Sequence, residues 1–213
     1  MKFKTYRIID LLILCILSFA IELLTTPCVN LFIPTIRPFP VLGLLLTLVA
    51  VTRWGLLGII VVPFNTLANF LMGRFVLNAI NYRATYDLSS FIFTMISTLA
   101  VLVSFLWYKK KGTRELYKDY GSMLGMLGTI VLVNLLVCVL YSLIGSLMSG
   151  GTFSLNDFWA RCLGMLLYNV FGYLALLVGT FILSKQEVLA DVKEKLLKKK
   201  EEQENEKQYY TKK

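Results

Sequence analysis

The chain has 213 residues, 57% of them hydrophobic and only 16% charged, with a net charge of +9 and no histidine. A soluble domain carries about 25% charged residues, so the composition argues against a soluble fold and for an integral membrane protein. The absence of histidine excludes a Ser-His nucleophile pair, a histidine metal site and a histidine proton relay.

The first predicted helix, Ile8–Thr25, follows the basic start MKFKTYR. It resembles a secretory signal, but no small-x-small cleavage site follows and Asp10 and Glu22 lie within it, so a retained helix is expected. The loop NLFIPTIRPFP comes next and carries Arg37 and Phe39 between prolines. A second helix, Pro38–Val51, would reach only about 21 Å against a hydrocarbon core of about 30 Å. It turns at TRWG into a third helix, Trp54–Gly73, and the pair is expected to form a hairpin that stops below the outer surface. In the third helix Asn65 and Asn69, at i, i+4, share a face, and Arg74 follows at its end. Pro63 frees a carbonyl one turn earlier, where a kink is expected.

The fourth helix, Leu88–Trp107, leads into the basic connection YKKKGTRELYKDY. The fifth, Gly121–Ser149, aligns Asn134, Cys138, Tyr141, Ser142 and Gly145. The sixth, Phe158–Ser184, carries Arg161, Met165, Tyr168, Asn169 and Gly172 on one stripe. Such long, nearly uncharged blocks are the signature of membrane-spanning helices. Beyond Ser184 the composition changes abruptly, and Val188, Leu189, Val192 and Leu196 share a helical face supported by the pairs Asp191–Lys195 and Glu194–Lys198. The four cysteines show no C-x-x-C spacing and read as small apolar packing residues.

These elements predict an all-α membrane protein: a six-transmembrane-helix bundle over residues 1–184, with N-terminus and C-terminus cytoplasmic, and a charged helical tail over 185–213. Of the 22 basic residues only Arg37, Arg74, Arg83 and Arg161 fall near the outer face, as the positive-inside rule demands. The net charge therefore reports orientation in the cell membrane, and nucleic acid is not implied.

Glu22, Arg37, Asn65, Asn69, Arg74, Tyr141, Arg161, Tyr168 and Asn169 all fall in the outer half, while the inner halves read as mostly aliphatic. Polar side chains in a membrane face the bundle interior or a wet cavity. They can glue helices together at about 0.6–2 kcal/mol per bond, with Glu22 pairing with Arg74 or Arg161. Alternatively they line a pocket open to the outside, where the arginines favour an anionic ligand and Phe91, Phe93, Trp159 or Tyr168 stacks on a ring. Their convergence on one side favours the pocket.

The six-span layout, the short second helix turning at TRWGLLG, Gly55 and Gly58 opening the third helix, and the polar residues in its outer half carry a resemblance. The chain resembles the substrate-binding S component of energy-coupling factor (ECF) vitamin transporters, over most of its length up to about Ser184. The resemblance implies capture of a small-molecule micronutrient from outside, then delivery through a transmembrane coupling subunit and two ABC ATPase subunits. The chain has no G-x-x-x-x-G-K-[ST] run, so ATP hydrolysis would fall to those partners. No cofactor and no catalysis of its own are expected. The family's small-residue repeat on the first helix is not matched, since Cys15, Ser18 and Ala20 form no clean repeat. A membrane scaffold of the rod-shape cell-wall machinery type is the alternative, and it predicts no outer cavity.

Overall fold

The computed structural model describes residues 3–32, 40–77, 88–148, 150 and 154–185, and these form helices and short turns without a strand. Helix α1 spans Phe3–Phe32, α2 Gly43–Trp54, α3 Val61–Leu71, α4 Leu88–Thr98 and α5 Ser104–Lys111. A short α6, Thr113–Lys118, precedes α7, Tyr120–Met148, and then come α8, Leu155–Tyr168, and α9, Val170–Lys185. A 3₁₀ segment, Gly55–Ile60, leads into α3, a π-helical turn, Met72–Leu77, extends it, and a second 3₁₀ segment, Leu99–Val103, joins α4 to α5. Arg37 and the charged tail beyond Lys185 lie outside the described residues.

Four helical stretches are long and apolar enough to cross a membrane: Lys4–Cys28, Gly43–Val76, Leu88–Lys111 and Tyr120–Met148. The pair α8 and α9, bent by 54°, makes a fifth if it counts as one span. The stretch Gly43–Val76 does not run straight. In a straight helix Gly43 and Asn65 would stand about 33 Å apart, yet the Asn65 side-chain amide donates to the Gly43 carbonyl at 3.3 Å. The chain reverses at Gly55, whose φ of +63° is open to glycine and strained for other residues. Gly58 then lies against the backbone of Ala50 and Val51, where a Cβ would come within 2.4 Å. The expected hairpin is present, and these two glycines explain it. Pro63 stands just after the 3₁₀ segment Gly55–Ile60 gives way to α-helix, so the change of helix type falls beside the proline.

The short helix is short because it is central. Every residue of α2 except Arg53 is buried, among α1, α3, α9 and the Leu99–Val103 segment. Gly179 of α9 meets the Leu45 side chain and Gly172 lies close to the carbonyls of Pro40 and Val41. The molecule is apolar outside, and its largely apolar core encloses buried polar groups. Ile8, Leu12, Ile16, Leu106, Leu132, Leu163 and Leu174 are exposed, while Ser18, Glu22, Thr26, Asn65, Ser97 and Asn134 are fully buried. An exterior of this kind fits a chain solvated by lipid.

Candidate functional site

The polar residues expected to share one pocket separate into distinct groups. The first surrounds the N-terminus of α2. Glu22 is fully buried, and its carboxylate accepts the backbone N–H groups of Leu42 at 2.6 Å and Val41 at 3.1 Å. These are orphan donors at the positive end of a helix dipole, so a carboxylate there satisfies both hydrogen bonding and charge. Thr25 and Thr26 donate to the same carboxylate at 3.3 and 3.5 Å, and Asn69 of α3 donates to Thr26 at 3.3 Å. Asn65 donates to the Gly43 carbonyl and to the Thr47 hydroxyl, each at 3.3 Å. Glu22, Asn65 and Asn69 thus join α1, α2 and α3. Glu22 makes no ion pair with Arg74 or Arg161; its partners are backbone amides and threonines.

A second group joins α4, α7 and the break between α8 and α9. Asn134 donates to the Ser97 carbonyl at 2.8 Å and accepts from the Tyr173 hydroxyl at 2.8 Å. Asn169 sits at the break itself, donating to the Met165 carbonyl at 3.0 Å and reaching the Cys138 sulfur at 3.9 Å. The stripe read as continuous through Asn169 is therefore divided there. Asn169 turns into the α7 joint, whereas Arg161, Met165 and Tyr168 face a cavity.

That cavity, of about 320 Å³, lies between α7 and α8 and is lined by Ser142, Asp157, Ala160, Arg161, Gly164, Met165 and Tyr168. It lies at the end of α7 opposite Tyr120. The Arg161 guanidinium donates to the Ser142 hydroxyl at 2.7 Å, the Ser142 carbonyl at 3.3 Å and the Ser146 hydroxyl at 3.0 Å. Its Nε is buried without a partner. Asp157, one turn earlier on α8, lines the same cavity, yet no ion pair joins it to Arg161. A half-buried guanidinium held by two serines and not neutralised by a carboxylate is a ready receptor for an anionic group. Ser146 adds to the sequence reading; it lies i, i+4 from Ser142, so one arginine spans both.

The remaining expected residues lie apart. Tyr141 stacks on Phe93 with ring centroids 4.0 Å apart and donates to Ser89 at 3.2 Å, so it serves the α4–α7 contact. Arg74 is exposed and stands over the Phe70 ring at 5.9 Å. Arg37 lies outside the described residues.

The opposite end of the bundle carries polar clusters as well, where a mostly aliphatic interior was expected. Asp10 of α1 accepts from Arg53 at 2.9 and 3.0 Å and from the Trp54 indole. Thr52, Tyr108 and Tyr117 close a triangle of hydroxyls with sides of 2.6, 2.7 and 3.0 Å. The triad joins Thr52 to two tyrosines more than fifty residues further along the chain, and no local spacing announces it. No protein-family profile, curated protein or solved structure matches the chain.

Proposed function

We propose that this chain is the substrate-binding membrane subunit of an ECF-type ABC importer. It would capture a vitamin or related micronutrient and pass it on through a transmembrane coupling subunit and two ABC ATPase subunits. The observation that supports this reading is the cavity between α7 and α8, where Arg161 presents an unneutralised guanidinium beside Ser142 and Tyr168. Its volume falls at the lower edge of the range of about 300–1,000 Å³ common to small-molecule sites. In this proposal the site is Arg161, Ser142 and Tyr168; Asn65, Asn69 and Glu22 support the framework beside it. The protein is multi-pass in the cell membrane, with six helical passes, two of them the short hairpin partners, and with both termini cytoplasmic.

The test is retention of a small molecule by the purified full-length protein, read by native mass spectrometry and followed by titration of the identified compound. Arg161→Gln should weaken binding by roughly 1–3 kcal/mol, because an anionic group on the ligand loses its charged mate. Asn69→Ala should leave affinity unchanged. An Arg161→Gln protein that binds as well as wild type overturns the assignment of the site. The membrane-scaffold reading draws on a different observation: Glu22, Asn65 and Asn69 each hydrogen-bond between helices or to the start of α2. Failure to retain any small molecule, with co-purification of cell-wall machinery, would decide for it.

A further inference from the structure

We propose that the end of α5 together with α6, residues 109–118 (the connector), is a docking site for the headgroups of anionic phospholipids. The inference rests on the membrane reading of the chain and is independent of the ligand proposed above.

Three observations carry it. The first is unbalanced charge on an exposed surface. Lys109, Lys110, Arg114 and Lys118 are all exposed, and none takes part in an ion pair among the described residues. Of the two carboxylates nearby, Asp119 is engaged by Lys111 and by the Ser122 hydroxyl, which leaves Glu115 against four cations. Arg114 and Lys118, at i, i+4, stand on one face of α6.

The second observation is rigidity. Leu116 and Tyr117 of α6 are buried, and Tyr117 is bound into the hydroxyl triangle with Thr52 and Tyr108. Burial pushes the Tyr117 phenol well above its ordinary value, with neighbouring Tyr108 adding to the effect, so the hydroxyl remains a neutral hydrogen-bonding group. At the far end Asp119 gathers Lys111, Ser122 and the Gly121 N–H into a staple. The backbone that carries the cations is thus fixed, so the ordering cost of binding falls on their side chains alone.

The third observation distinguishes a lipid from a soluble acidic partner. Leu106 is 70% exposed and lies three and four residues before Lys109 and Lys110. On a helix those spacings stack the cations directly over the leucine. On α7 Tyr120 and Leu124, at i, i+4, are exposed apolar side chains as well. An apolar wall topped by cations matches an acyl chain topped by phosphate. Juxtamembrane lysines and arginines gain about 1 kcal/mol each from an anionic leaflet.

The experiment uses the full-length protein in nanodiscs or mixed micelles containing phosphatidylcholine with a minority of phosphatidylglycerol. Lipid that remains bound is counted by native mass spectrometry. Wild type should retain phosphatidylglycerol over phosphatidylcholine by at least about tenfold, falling as salt rises. The combined variant Lys109→Gln, Lys110→Gln, Arg114→Gln, Lys118→Gln should bring the ratio close to one. Neutralising Lys195, Lys198, Lys199 and Lys200 of the tail should leave it high. Inorganic phosphate at millimolar concentration should not displace the lipid. The four changed side chains are exposed, and a melting temperature in pure phosphatidylcholine checks the fold. If the combined variant fails that check, the two double variants are compared instead, each expected to give an intermediate ratio. Undiminished preference in a folded connector variant overturns the proposal, as does loss of preference in the tail variant. Displacement by phosphate alone, or a connector-dependent contact with an acidic protein and no lipid preference, overturns it too.

Discussion

At the scale of single residues, the same side-chain type does opposite work according to what surrounds it. Glu22 lies within an apolar helix, where a carboxylate suggests an ion pair or a ligand contact. It instead accepts two backbone N–H groups that begin a buried helix and have no water to turn to. Removing it orphans both donors, at a cost of about 1–3 kcal/mol each. Glu22→Ala should therefore lower the thermal stability of the purified protein sharply, while Glu22→Gln keeps one acceptor and loses much less. Ligand affinity of the surviving folded fraction should not change. An alanine variant with wild-type stability and lost affinity would return Glu22 to the ligand. Asn69→Ala and Asn65→Ala belong with it, each costing stability by about 0.6–2 kcal/mol, the range of polar contacts between membrane helices. Arg161 differs because its hydrogen-bond partners are hydroxyls and a carbonyl, and no ion pair joins it to Asp157 of the same cavity. The spacing of these polar residues along apolar helices did not show which of them hold helices together, since that depends on which backbone amides are left without partners.

At the scale of elements, the hairpin of α2 and α3 depends on two glycines for different reasons. Gly55 provides a positive φ, and Gly58 allows backbone to lie on backbone. Gly58→Ala must push the two limbs apart, because the atoms in its way belong to the chain of Ala50 and Val51. Overpacking of this kind costs about 1–3 kcal/mol, and the loss should appear in the melting temperature. Gly128→Ala on α7 is the comparison: nothing lies within 4 Å of an added Cβ there, so stability should hold. The connector behind α5 provides a test by pH. The Lys111 ammonium, with help from the Ser122 hydroxyl, holds the Asp119 carboxyl well below the usual aspartate range. A pKa depressed in the folded state contributes stability that is complete above the unfolded value of about 3.9 and is lost as pH falls through the lower folded one. Protection of the Gly121 amide, which donates to Asp119 at 3.1 Å, should hold from neutral pH down to about pH 4 and fail only in stronger acid. In Asp119→Asn it should be reduced across the whole range. Protection lost already near pH 6 would contradict the depressed carboxyl.

At the scale of the whole molecule, the all-helical architecture and the hairpin were legible in the apolar blocks and in TRWG, because lipid demands internally satisfied backbone. The central place of α2 was not. Its shortness could mean a span that stops early or a helix wrapped by others, and composition does not choose between them. A partial signal was present on α1, where Asp10 and Glu22 are twelve residues apart, about 18 Å along a helix. That matches the twelve residues of α2, and each carboxylate holds one end of it, Glu22 through backbone amides and Asp10 through Arg53 and Trp54. Two carboxylates on one helix thus hold both ends of its neighbour. The two ends of the bundle are then unlike. One gathers Lys4, Arg53, the connector cations and Lys185, and the other bears the Arg161 cavity. If the basic end is cytoplasmic, as the positive-inside rule requires, single cysteines should report it. In a background with Cys15, Cys28, Cys138 and Cys162 replaced by serine, Gly112→Cys should be labelled by an impermeant maleimide only from the cytoplasm. Gly150→Cys, at the opposite end and exposed, should be labelled only from outside. Asn169 needs its partner at position 138, and serine there retains a hydrogen-bonding oxygen. Labelling of both positions from the same side would break the link between α7 and a full membrane crossing. Labelling of Gly112→Cys from outside would invert the molecule and place the Arg161 cavity in the cytoplasm, where it could not receive a nutrient from the medium.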